Sequence, residues 1–151
     1  MKLERLVCSW FGAGWMKPAP GTWGSLAALP LGWLLFWLAG PPLLAVATVI
    51  VFLIGWWASE RIVQADGLED PSWVVIDEVA GQWLTLLLTP PSLLDYAVGF
   101  ALFRLFDIWK PWPVSWADQK LKGGLGIMLD DVLAGLMGLV VLTLLKKAGL
   151  P

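Results

Sequence analysis

Apolar and polar positions along this chain fall into long alternating blocks rather than a short strand-like alternation, and the blocks predict helices. Apolar segments run from Leu26 to Ala39, Leu43 to Ala58, Trp73 to Leu88, Leu93 to Trp109 and Val132 to Leu145. Gly40-Pro41-Pro42 turns the first segment into the second as a helical hairpin, because paired prolines cannot continue a helix interior. Pro90-Pro91 separates the third from the fourth, and Lys110-Pro111 stops the fourth. Before them, MKLERLVCSWF places Leu3, Leu6, Val7 and Trp10 on one side of a short helix suited to a membrane surface. The Gly- and Pro-rich stretch from Gly12 to Ser25 reads as a loop, as does the polar stretch containing Asp118, Lys120 and Lys122. The segments are short for a hydrocarbon core of about 30 Å. The expected architecture is an all-α integral membrane bundle of four or five short transmembrane segments behind an N-terminal amphipathic helix.

Composition strengthens the membrane reading. Of 151 residues 58% are hydrophobic and 15% charged, with a mean hydropathy of +0.74, against roughly 45–50% apolar content in soluble domains. Residues 1–151 suit a single domain, twelve tryptophans suit interfacial belts, and a net charge of -2 argues against a nucleic-acid partner. Lys2, Arg5 and Lys17, then Arg61, then Lys110, Lys120 and Lys122 lie in alternate connections, while the turns between them are uncharged. The basic set should face the cytoplasm. Lys146 and Lys147 are the exception, since a fifth crossing places them outside.

The chemistry is bounded by what is missing. There is no histidine, which removes imidazole bases and the usual triads. The lone Cys8 is followed by SWFGAG with no arginine to complete the phosphate loop of a cysteine phosphatase. Carboxylates remain, in unusual places. Asp130 and Asp131 stand at the head of the last apolar run, with Gly135 one turn after Asp131. As first-turn acids they would need no further explanation. DEVAG repeats the arrangement at Asp77, Glu78 and Gly81, expected past the first turn of a helix starting near Ser72. Arg104 and Asp107 share a helix face amid Phe103, Phe106 and Trp109, and are either an intrahelical ion pair or a phosphate clamp beside a metal ligand. PGTWGS, with Thr22 and Ser25, leads backbone N–H groups into a helix start suited to anions. All these residues fall at the cytoplasmic ends of their segments, so topology gathers what sequence order scatters. Hard oxygen ligands and basic groups on one membrane face point to Mg²⁺-assisted phosphoryl transfer.

The blocks PAPGTWGSLAALP, VVIDEVAGQW, FRLFDIWKPWP and GGLGIMLDDVLAG, in this order, resemble the bacterial phosphatidylglycerophosphatase A family from about Gly12 to Gly138. The resemblance implies an all-helical, Mg²⁺-dependent enzyme that converts phosphatidylglycerophosphate to phosphatidylglycerol at the inner membrane. Its polar positions fall on Thr22, Ser25, Asp77, Glu78, Arg104, Asp107, Lys110, Asp130 and Asp131. Of these, Asp77, Glu78, Asp107, Asp130 and Asp131 are expected to bind metal or orient water. Arg104 and Lys110 are expected to hold phosphate, with Thr22 and Ser25 completing the anion pocket. Direct attack by water is expected, with an aspartyl-phosphate route as the alternative. A lipid alcohol phosphotransferase is disfavoured because Asp66-Gly67-Leu68 leads to no Ala-Arg pair. A non-enzymatic membrane scaffold or transporter subunit, its charges forming structural pairs, is the competing reading.

Overall fold

The computed structural model describes residues 2–150, and among them it contains helices and no strand. The helices are α1 (Leu3–Cys8), α2 (Pro20–Asp66), α3 (Ile76–Thr85), α4 (Leu93–Trp109), α5 (Val114–Lys120) and α6 (Gly123–Lys147), with a 3-10 turn at Ala13–Trp15.

Helix α2 is the predicted hairpin. Its helical dihedrals fail at Ala39 and at Gly40, where φ is +68°, and only glycine enters that region freely. Pro41 and Pro42 then sit in the first turn of the second leg, where a missing N–H costs nothing. Chain reversal is evident from the packing: Gly24 on the first leg abuts Val75, and Gly55 on the second leg abuts Ile76. The legs begin earlier than expected. Pro20 opens α2, so Thr22 and Ser25 belong to its first turns rather than to a loop.

Much of the apolar surface faces outward. Only 17% of the most apolar window of α2 is buried, against 50% for α6, and both helices are long and apolar enough to cross a membrane. Trp37 is 73% exposed, and Val46, Val49 and Leu53 are more than half exposed. Such a surface on a folded protein belongs in lipid. The chain is a membrane protein.

The third expected segment, Trp73 to Leu88, is corrected. Pro71 delays the helix, and the Val75 N–H donates to the Cys8 carbonyl at 2.8 Å, so residues 73–75 tie the chain to α1 instead. What remains is α3, ten residues, which at about 1.5 Å per residue reaches only about half the hydrocarbon thickness. It is surrounded rather than exposed: eight of its residues are buried, with α2, α4 and α6 packed around it. Its Trp83 indole donates to the Ala28 carbonyl at 2.8 Å, pinning it to the first leg of α2. The last segment is corrected in the other direction. Helix α6 starts at Gly123, nine residues before Val132, because the Glu60 carboxylate accepts the Gly124 N–H at 2.7 Å and caps the helix from a distance. The polar connection before it is partly helical, as α5.

Both legs of α2 and all of α3, α4 and α6 therefore place one end of the bundle near Pro20, Asp66, Ile76, Trp109 and Gly123. The opposite end holds Lys146, whose ammonium donates to both oxygens of Asp95 at 2.8 and 2.9 Å, while the Ser92 hydroxyl donates to the same carboxylate. This pair accounts for Lys146, one of the two basic residues that break the orientation pattern. Lys146→Met should lower stability by about 2 kcal/mol, because it leaves an unpaired charge on Asp95, which is 7% exposed. Adding Asp95→Asn should restore most of it in thermal unfolding in detergent.

Candidate active site

Helices α3 and α6 run in the same direction and touch backbone to backbone. A Cβ on Gly135 would lie 2.5 Å from the Gly81 carbonyl oxygen, and one on Gly81 would lie 2.6 Å from the Asp131 carbonyl oxygen. Small residues at this crossing bring the two acidic pairs to one level. Carboxylate oxygens of Asp77, Glu78 and Asp131 lie within 4.8 Å of one another. The helix-dipole expectations are exchanged. Asp77 and Glu78 are in the first turn of α3, where the dipole favours them, whereas Asp130 and Asp131 lie about two turns inside α6, where it offers nothing. The two pairs share a local device: Asp77 accepts the Glu78 N–H at 3.0 Å, and Asp130 accepts the Asp131 N–H at 2.9 Å.

Helix α4 brings the cations. The Arg104 guanidinium donates to Asp107 one turn on and stands 3.9 Å from Glu78. At the helix end Lys110 adopts φ +51°, and its ammonium donates to Asp130 at 2.8 Å and pairs with Asp118 at 3.3 Å. Burial works against the charge on Lys110. The hydrogen bond to Asp130 and the charges of Asp130, Asp131 and Asp107 outweigh it and raise its pKa above the usual lysine value.

Around these groups is a cleft of about 300 Å³. Seven of the nine residues singled out in the sequence line it: Asp77, Glu78, Arg104, Asp107, Lys110, Asp130 and Asp131. Thr22 and Ser25 do not. Starting the helix at Pro20 turns Ser25 into the interior, where it is fully buried, and leaves Thr22 half-buried beside the cleft. The N-terminus of α2 still contributes, through Pro20 and Gly21. A Cβ on Gly21 would push the Glu78 carboxylate aside and crowd the Arg104 guanidinium. Asp70, not among the residues singled out in the sequence, is a further acid of the site. It lines the cleft, and burial raises its pKa against the opposing pull of Lys110.

The donor set suits a hard cation. Six carboxylates and two cationic side chains line the cleft, so an incoming phosphate meets net negative charge unless a divalent ion is present. Glu78 Oε2 and Asp131 Oδ2 are buried without a hydrogen-bond partner among the described residues, a costly state that an ion relieves. Asp107 and Asp130, by contrast, are already engaged by Arg104 and Lys110. Cys8 offers no competing chemistry. It is fully buried against the Ser59 hydroxyl, and burial raises its thiol pKa to about 11.

The chain is similar over most of its length to known bacterial proteins. A family profile described as Phosphatidylglycerophosphatase A matches residues 6–146. A Haemophilus influenzae protein named Phosphatidylglycerophosphatase A is 40% identical, over 90% of this chain and 84% of its own length. An Escherichia coli protein of the same name is 37% identical, over 91% and 80%. A Bacteroides thetaiotaomicron protein, 39% identical over 95% of this chain and 94% of its own, carries a provisional phosphatidylinositol-3-phosphatase name. No solved structure matches the chain.

Proposed function

The chain belongs to the phosphatidylglycerophosphatase A family, and from that premise we propose that its cleft hydrolyses the terminal phosphate of phosphatidylglycerophosphate with the help of Mg²⁺. The observation that carries the reading is the trio Asp77, Glu78 and Asp131, three carboxylates within 4.8 Å that belong to two helices crossing at glycines. These three would hold the ion, which when bound polarises the phosphate and lowers the pKa of water. Arg104 and Lys110 receive the phosphate oxygens, Arg104 through its planar fork and Lys110 as a point charge. Asp107 and Asp130 hold these two cations in place while the cleft is empty of substrate, and give them up in part when phosphate arrives. With no histidine and a buried thiol, we propose direct attack by water, with attack by a cleft aspartate through an aspartyl-phosphate as the alternative; phosphatidylglycerol is the leaving alcohol in either route.

The same reading sets the membrane placement. The two legs of α2, α4 and α6 cross as helices, and the chain makes a fifth passage between Asp66 and Leu93 by way of the ten-residue α3, enclosed among them, and the connection that follows it. The cleft faces the cytoplasm from the inner membrane: Arg5, Arg61, Lys110, Lys120 and Lys122 cluster at its end of the bundle, while the turns at Gly40 and Pro90 carry no charge. Lys146 is neutralised by Asp95 at the far side.

Purified protein in detergent should release phosphate from phosphatidylglycerophosphate, stop on addition of a chelator, and recover with excess Mg²⁺. Release that persists through exhaustive chelation rejects the metal role.

A further inference from the structure

A second cavity lies on the flank of the bundle. It is a groove of about 590 Å³ between the first leg of α2 and the start of α4, lined by Leu26, Leu29, Pro30 and Trp33 on one wall and Leu93, Tyr96, Ala97 and Phe100 on the other. Each wall follows the spacing i, i+3, i+4, i+7, a single face of a helix. The two helices run in opposite directions, so Leu26 and Phe100 stand at the cleft end and Trp33 and Leu93 at the far end. At that far end the walls meet. The rings of Trp33 and Tyr96 pack edge to face there, with centroids 5.0 Å apart.

Beyond Leu26 and Phe100 the same two helix faces lead towards the cleft. One helical turn beyond Phe100 on the same face is Arg104, which lines the cleft. One turn beyond Leu26 on the same face is Thr22, next to Gly21, which also lines it. Each apolar wall therefore ends in a polar residue at the rim of the site. We propose that this groove holds an acyl chain of the lipid substrate while its phosphate is in the cleft, with Thr22 meeting the polar glycerol linkage between them. The inference rests on the phosphatase reading of the cleft and adds a second point of attachment to it. It gives Thr22 a place that the cleft alone does not. It also explains why a small residue, Ala97, lies exposed between Leu93 and Phe100 on the groove wall. From Leu26 to Trp33 the groove is about 10 Å long, so it takes the upper part of one chain and the rest stays in lipid.

Ala97→Trp fills the groove at an exposed position without touching the cleft. Its kcat/KM would be measured on two substrates in mixed micelles, dioleoyl phosphatidylglycerophosphate and the same head group without acyl chains. The ratio of the two constants should fall at least tenfold relative to the parent, through a raised KM for the lipid. Leu26→Trp, at the other wall, should do the same and serves if Ala97→Trp fails to fold. A ratio unchanged in both variants overturns the groove and leaves it as surface for bystander lipid. A parent protein that hydrolyses neither substrate instead overturns the phosphatase reading.

Discussion

Asp131→Asn should abolish phosphate release from phosphatidylglycerophosphate while leaving the folded protein at least as stable as the parent. Asp131 is 2% exposed, and its Oδ2 has no partner among the described residues. Asp77 and Glu78 crowd it from α3, and no helix dipole compensates, because the residue lies two turns inside α6. Without a bound cation, three carboxylates so close and so deep repel one another, and an amide of the same shape removes one of them. Melting in the presence of chelator should therefore be unchanged or move up by a few degrees. The same substitution deletes a hard ligand from a trio. A loss of about a thousandfold in kcat/KM corresponds to about 4 kcal/mol of transition-state stabilisation, within what a bound divalent ion supplies. Asp118→Asn provides the contrast. Asp118 is on the rim, with a side chain 39% exposed and 3.3 Å from Lys110, so its loss should cost no more than a few-fold. If Asp131→Asn lost stability and activity together, the carboxylate would be a structural partner and the metal trio would have to be abandoned.

The sequence carried the site further than it carried the helices around it. Residue types and spacing were enough to pick out Asp77, Glu78, Arg104, Asp107, Lys110, Asp130 and Asp131, because charged groups inside apolar runs are rare and costly. The hairpin at Gly40 and the stop at Lys110 were equally legible, since proline and glycine act locally. Helix ends set by distant partners were not. Nothing near Gly123 announces a helix start there, because the cap is Glu60, more than sixty residues away. Nothing near Trp73 announces a delay, because the carbonyl that engages Val75 belongs to Cys8. These two shifts moved Asp130 and Asp131 out of a first turn and Asp77 and Glu78 into one. Asp70 was missed for a related reason: Asp-Pro-Ser is common as a turn, and only the fold brings it opposite Lys110.

Gly135→Ala should weaken the response to Mg²⁺ at least tenfold. The new Cβ would stand 2.5 Å from the Gly81 carbonyl oxygen and 3.0 Å from its Cα. Both are backbone atoms, so no side chain can turn aside. Helix α3 cannot yield, because Trp83 is bonded to Ala28 and Val75 is seated against Gly24. Helix α6 must therefore move outward by about 1 Å to restore an ordinary contact. Asp131 is one turn before Gly135 on the same face and moves with it, away from Asp77 and Glu78. Overpacking of this kind costs about 1–3 kcal/mol, so the melting temperature should fall. The distinguishing result is in the titration: half-saturating Mg²⁺ should rise at least tenfold, with part of kcat returning at saturation. Gly67→Ala separates the two effects. That glycine has φ +66° and no atom within 4 Å of a new Cβ, so the substitution strains the C-terminus of α2 and lowers stability without moving a carboxylate. Its Mg²⁺ dependence should match the parent. Equal Mg²⁺ dependence in both variants would mean that the glycine crossing holds the bundle together but does not set the spacing of the trio.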